Sequence, residues 1–349
     1  MTRDSQLNLF GVAPDGQDVH LVTLQNKYLS CEIITYGAAI RSLRVPDRNN
    51  MPVDVVLGYD ALEDYVTQDG YLGATIGRVA TPVSHEYLSP SSAEHKPSCN
   101  EGSDYLHGCL TAFSRRVWNI ESLESDRVVM TLSSQDGGDG YPGMIQARVT
   151  YSLSDFSLNI QHETVSDKDP LCSLTNHSYF NLAGHDSGEV YDQEVVIEAD
   201  TFAPNGCDSV STSQLTPVSG TPMDLRTPAF IGQHINDNDP QLKQAHGYDH
   251  NYVIRGKSGR LRLAAQAACA KTGIMMCINT TLSGMHFYTA NFIDGGRVGK
   301  NGASYGPHHA FCLEAQYYND TLSHSSSPSS ISKAGEACDH LTHLSFFIF

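Results

Sequence analysis

"VVMTLSSQDGGDGYPGMIQARVTYSL" occupies positions 128–153. In its second half Ile145, Ala147, Val149 and Tyr151 alternate with Gln146, Arg148 and Thr150. Successive side chains of a strand point to opposite faces, so this period of two marks a half-buried strand. The run 128–134 is a second strand candidate. The link 135–143 is rich in Gly and Asp, which tolerate positive φ and suit a hairpin connection.

The same pattern extends in both directions. "SLNIQHETV" (157–165), "EVVIEADTF" (194–202), "GRLRLAAQA" (259–267), "IMMCINTT" (274–281), "MHFYTANF" (285–292) and "HAFCLEAQYY" (309–318) each read as one strand. The C-terminal "HLSFFIF" (343–349) fits either a last strand or an exposed tail. Helical signals are few and short; "DALEDYV" (60–66) suits one or two turns. The expected class is all-β, many antiparallel strands in stacked sheets. The Ser-rich stretches 86–104 and 323–333 read as surface loops, because strand-like sequence continues on both sides of each. One domain over 1–349 is the simplest organisation.

The formal charge of −17 excludes the basic face that nucleic acid or an anionic membrane requires, and it disfavours phosphorylated substrates. Apolar runs fall short of the ~20 residues that span a bilayer. The N-terminus lacks the basic start and apolar stretch of a signal peptide. Nine cysteines, an odd number without a C-x-x-C, indicate reduced thiols and a cytoplasmic protein. Sixteen histidines are present, but their spacing supports no metal site. Nucleotide, hydrolase and metalloprotease motifs are missing as well.

Chemistry concentrates in four stretches. "LCSLTNHSYFNLAG" (171–184) places Asn176 and His177 inside an apolar run. As a strand it puts Thr175, His177, Tyr179 and Asn181 on one face, a polar and aromatic surface suited to a polyhydroxylated ligand. A core histidine satisfied by hydrogen bonds explains the same residues. In "HAFCLEAQYYND" (309–320), Cys312, Glu314, Gln316 and Tyr318 share a face. A carboxylate there needs either a structural ion-pair partner or a cleft. "HGYDHNYVI" (246–254) carries Asp249 among histidines and tyrosines, and "DYLHGCL" (104–110) carries His107; turn chemistry accounts for both equally well.

Taken in order, these stretches resemble the aldose 1-epimerase, or galactose mutarotase, family. The matching blocks include "ITYGAAIRSLRVPDR" (34–48), "DVVLGYDALEDY" (54–65), "GATIGRVA" (73–80), "LTNHSYFNLAG" (174–184), "GYDHNYVI" (247–254), "FYTANF" (287–292) and "FCLEAQYYND" (311–320). The resemblance implies a galactose-mutarotase-like supersandwich with a sugar cleft. It implies Glu314 as the base at O1 of a hexose and His177 as the acid at O5. It implies His107, Tyr179 and Asp249 in contact with sugar hydroxyls, and Asn176 orienting the site. It implies no metal, nucleotide or redox cofactor. The expected partner is a small-molecule hexose, and the expected state a monomer or weak dimer.

The chain also departs from the family. After "GRVA" the family continues Asn-Arg-Ile, whereas this chain has Thr81-Pro82-Val83. A lost hydrogen bond from a charged group is worth about 1.5–3 kcal/mol. The family's Gln before the aromatic pair is His286, and the second Gly of its "HGG" is Cys109. Two functions therefore stand. The first is an active mutarotase with weakened affinity or shifted sugar preference. The second is a hexose-binding or regulatory homologue impaired in catalysis. A hexose-6-phosphate epimerase is disfavoured, because no Arg cluster is evident.

Overall fold

The structure, a computed structural model, describes residues 6–80, 112–138, 141, 143–168, 172–206, 215–318 and 334–349. His107, Cys109, Thr81-Pro82-Val83 and both Ser-rich stretches lie outside the described residues.

Among the described residues the strands form three larger sheets and one two-stranded ribbon. Leu7–Val12, Asp18–Gln25, Ser30–Ile34, Ala39–Pro46 and Pro52–Asp54 form a meander of five. A nine-stranded sheet is ordered Ala229–Phe230, Glu194–Ile197, Arg262–Cys269, Ile274–Thr280, Cys338–Ile348, Ser157–Ser166, Ile145–Ser154, Arg127–Ser134 and Asn119–Leu123. A second five-stranded sheet is ordered Thr216–Pro217, Ala199–Ala203, Asp249–Ile254, Gly284–Tyr288 and Cys312–Gln316. Thr75–Ile76 and Thr175–Asn176 make the ribbon. Pairing within these sheets is antiparallel. Side chains of the three larger sheets meet in one core, with Val22 and Leu43 from the first, Met130, Tyr151 and Met276 from the second, and Tyr252 and Phe287 from the third.

The hairpin read from the opening stretch is present, with Arg127–Ser134 paired in register to Ile145–Ser154. The C-terminal stretch is no tail, because Cys338–Ile348 is the central strand of the nine. The helix expected at 60–66 is the single-turn segment Leu62–Thr67. A second short helix, Pro240–Ala245, starts at Asp239, whose side chain accepts from the backbone N–H of Gln241 and Leu242.

Two expectations need correction. "EVVIEADTF" is not one strand. It breaks at Glu198, with Glu194–Ile197 in the nine-stranded sheet and Ala199–Ala203 in the smaller one. A register irregularity between Ala199 and Thr201 bends the chain around this corner. The run 171–184 is not one strand either. Among the described residues only Thr175–Asn176 sits in a ladder, and the chain beyond it is held by single bridges and side chains.

One cross-strand pair in the large sheet is sensitive to acid. His162 and His340 are opposite in register, both buried, with ring centroids 5.0 Å apart. The His340 imidazole is 2.9 Å from the Leu174 carbonyl, while neither ring nitrogen of His162 has a hydrogen-bond partner among the described residues. Burial pushes His340 down to about 4, against a smaller upward pull from that carbonyl and from Asp339. Burial, and then His340, hold His162 well below the usual histidine range. Both are neutral when folded, so the stability they permit is intact above ~6.5 and declines as pH falls toward the folded values. Between pH 7.5 and pH 5, His340 alone should cost about 2 kcal/mol of stability. Urea denaturation of His340→Gln should therefore show a loss smaller by about that amount, and an unchanged loss would place the acid sensitivity elsewhere.

Candidate active site

The site begins where two extended segments cross. The backbone at His177 is clamped by the loop 73–74, because His177 N donates to Ala74 O and Gly73 N donates to His177 O, each at 2.9 Å. Gly73 is required here. Its φ is +70°, and a Cβ on it would lie 2.0 Å from Ile40 O. Asn176 reinforces the clamp, as its Nδ2 donates to Gly73 O at 2.8 Å and its Oδ1 accepts from Ser178 at 2.6 Å. Three residues on, Phe180 and Phe311 exchange both backbone hydrogen bonds, at 2.7 and 2.9 Å. That bridge brings the His177 segment alongside the strand Cys312–Gln316.

Alternation along the strand then aims the side chains. Leu313 and Ala315 enter the main core, while Cys312 belongs to a second cluster with Tyr179 and Tyr288. Phe180 and Phe287 likewise face the main core. The opposite side, lined by Tyr179, His177, Tyr288, Cys312 and Glu314, is the site. His177 with Tyr179 and Cys312 with Glu314 share it as read from the sequence, whereas the Asn181 amide donates to the carbonyls of Gly188 and His309.

Here His177 Nε2 lies 3.7 Å from Glu314 Oε1. Both residues are almost fully enclosed, with 4% and 2% of their surface exposed. The Tyr179 ring stacks on the imidazole at 4.9 Å between centroids and 11° between planes, and Tyr71 stacks at 6.3 Å. Tyr288 meets it edge-on at 6.2 Å. On the other ring nitrogen, Nδ1 is 3.5 Å from Cys312 Sγ. Burial, with the charges of Glu314 and Asp249, pushes the Cys312 thiol well up, so it stays protonated.

Glu314 is a carboxyl group away from its ordinary range. Burial raises it to about 7; the charge of His286 opposes that rise and the charge of Asp249 adds to it. His286 is opposite Glu314 in register. Its Nε2 is 2.7 Å from Asp249 Oδ1. Burial alone would lower His286, but the hydrogen bond and charge of Asp249, together with Glu314, outweigh it and raise the imidazole above its usual value. Among the described residues the site thus holds two imidazoles and two carboxyl groups in alternation.

The structure brings together His177, Glu314, Tyr179, Asp249 and His286. Asn176 lies beside them with its amide turned to the Gly73 clamp. His107 lies outside the described residues. Three contributors were not singled out for the site from sequence. Cys312 was readable in principle, standing two positions before Glu314 on the same face. Tyr288 pairs with Cys312 across the ladder, which requires the register to be known. Tyr71 has φ +54° in a loop, and nothing in the sequence marks it.

A model of the aldose 1-epimerase family matches residues 20–345. The chain belongs to the aldose 1-epimerase family. It is 37% identical over 341 residues to galactose mutarotase of Bos taurus, covering 97% of this chain and 98% of the relative. It is equally similar to the Homo sapiens galactose mutarotase, at 37% over 341 residues with the same coverage. The aldose 1-epimerase of Escherichia coli K12 is 30% identical over 339 residues, 96% of this chain and 97% of that one. Among solved structures, an aldose epimerase homologue from C. elegans superposes with TM-score 0.81 at 25% identity, covering 94% of this chain and 98% of its own. Galactose 1-epimerase from Lactobacillus acidophilus gives TM-score 0.82 at 23% identity, with 98% of each chain covered, and shares the fold.

This epimerase-family site has a thermodynamic signature. Glu314 is raised from 4.5 to about 7, so its contribution is intact below the unfolded value and is lost as pH rises through the folded value. Above pH 8 the buried carboxylate costs roughly 3 kcal/mol. Glu314→Gln should be more stable than the native protein by about that amount at pH 8.5 and nearly equal to it at pH 4. A variant less stable at both pH values would show Glu314 to be a structural ion-pair partner.

Proposed function

We propose that the chain is an aldose 1-epimerase interconverting the α and β anomers of hexoses such as galactose and glucose, with Glu314 and His177 as its proton carriers. The observation that carries this reading is the buried pair at 3.7 Å. Hemiacetal opening needs a base for the O1 proton and an acid for the ring O5 at the same time, and two groups on one pyranose supply both.

Glu314 takes the proton from O1 as the C1–O1 bond becomes a carbonyl. The electron pair of the C1–O5 bond passes to O5, which takes the proton of the His177 imidazolium. The open aldehyde turns about C1–C2 and presents its other face. Closure reverses the roles: His177 removes the proton from the O5 hydroxyl, O5 attacks C1, and Glu314 returns a proton to O1. Atoms and charges balance over the cycle, and the pair is restored.

The electrostatics suit both directions. A glutamate raised to about 7 is a stronger base than a solvated one and, once protonated, can give the proton back near neutral pH. An unperturbed carboxylate is a weaker base, and reclosure depends on Glu314 acting as an acid too.

Tyr179 packs the imidazole in place. Asn176 acts through the Gly73 clamp, holding the His177 backbone. Asp249 and His286 face the hydroxyls, His286 drawn toward its charged form by Asp249 and Asp249 with the acceptor capacity its bond to His286 leaves. His107, which the family resemblance puts against the sugar, completes the proposed set. Catalytic impairment is the weaker reading, because the acid/base pair is assembled and the chain matches mutarotases over nearly its full length.

Polarimetry on freshly dissolved α-D-galactose and α-D-glucose tests the reaction. The native protein should speed the approach to anomeric equilibrium, and a rate equal to buffer alone would refute the assignment. Glu314→Gln and His177→Asn should each lower kcat by about 10²–10⁴-fold, the usual contribution of a positioned acid or base. Full turnover in either variant would assign the chemistry to other groups.

A further inference from the structure

We propose that the reaction centre is also a binding site for a thiophilic divalent cation, Zn²⁺ or Cd²⁺, held by Cys312, His177 and Glu314 in competition with hexose. One donor atom from each of these three residues lies within 4.8 Å of the others, and all three residues are buried. Sγ of Cys312 lies 3.5 Å from Nδ1 of His177, and Nε2 of His177 lies 3.7 Å from Oε1 of Glu314.

Each separation singly is near that of two donors on a tetrahedral ion, and the two run from opposite nitrogens of the His177 ring. Bonds of ~2.3 Å to sulfur and ~2.0–2.2 Å to nitrogen or oxygen set donor atoms about 3.3–3.6 Å apart. A single imidazole nitrogen serves the ion, so its more distant partner, within 4.8 Å, closes by up to about 1.2–1.5 Å to reach those separations. Three protein donors leave a fourth position for water, the arrangement of open zinc sites.

Charge and softness point the same way. Thiolate and carboxylate together neutralise a dication, and the imidazole ligates without charge. The ion displaces the thiol proton to solvent, and no redox step is involved. Sulfur selects Zn²⁺ and Cd²⁺ over Mg²⁺ and Ca²⁺. Two of the donors sit on one regular strand, two residues apart on one face, and the third is clamped by the loop 73–74. Ligation therefore requires side-chain movement of one donor and no change of the backbone that carries the three.

Exclusion of hexose follows from the chemistry proposed above and rests on that reading; the cation site itself does not. An imidazole nitrogen bound to metal carries no proton for O5, and a carboxylate bound to metal is a poor base for O1.

The test is a titration of the intact, reduced protein with Cd²⁺, followed by the ultraviolet thiolate-to-cadmium charge-transfer band. Native protein is compared with Cys312→Ser, whose folding is checked by circular dichroism and thermal melting. The native protein should show a saturable component that Cys312→Ser lacks, and Glu314→Gln should weaken it. Cd²⁺ affinity should fall at least about tenfold in both variants, since loss of even an outer-shell partner costs about 10–100-fold. Galactose should move the native midpoint to higher Cd²⁺, and Mg²⁺ should leave it unmoved. Superimposable titrations of native protein and Cys312→Ser would overturn the cation site. A Cys312-dependent band indifferent to saturating galactose would overturn the competition alone. Polarimetric activity of the metal-free variants would still judge the epimerase reading separately.

Discussion

The structure turns on a carboxyl group that is almost fully enclosed. Glu314 is enclosed 3.7 Å from His177, and burial lifts it to about 7. A carboxylate in that position costs stability, and a core of aliphatic side chains would be the more stable solution. The cost is consistent with a base that must also become an acid within one catalytic cycle. The neighbouring groups moderate it: His286 favours the ionised form, while Asp249 disfavours it.

The scaffold meets this requirement by dividing the labour of its strands. Inward residues of Cys312–Gln316 and Gly284–Tyr288 pack into the main core and fix those strands, while alternate residues present the chemistry. His177 is supported differently. Its segment is nearly outside any ladder, and backbone bonds to Gly73 and Ala74, the Asn176 amide and the Phe180–Phe311 bridge hold it. Irregular backbone there allows the imidazole and the tyrosine two positions later to stack, with Tyr71 laid against the same ring.

Much of this was legible in the sequence because β-structure writes itself in a period of two. The hairpin 127–154 and the common face of Cys312 and Glu314 followed from alternation alone. The corner at Glu198 did not, since a strand that changes sheets keeps its alternation on both sides of the break. The run around His177 looked like a strand because it is buried like one, yet its partners are loop residues that local pattern cannot reveal. The contact between Asp249 and His286 depends on a register in which Asp249 pairs with Tyr288 and so lies diagonal to His286. Long side chains bridge that diagonal, but only a folded sheet specifies it. The pairing of His177 with Glu314 is a property of two distant segments, and only resemblance to a family could anticipate it.

The most direct test of the central claim is a pH titration of the glutamate side-chain carboxyl resonances by ¹³C NMR, with Glu314 assigned by its disappearance in Glu314→Gln. Burial beside the imidazole predicts one carboxyl titrating near 7. An assigned Glu314 resonance titrating near the ordinary ~4.3 of a solvated glutamate would contradict the account.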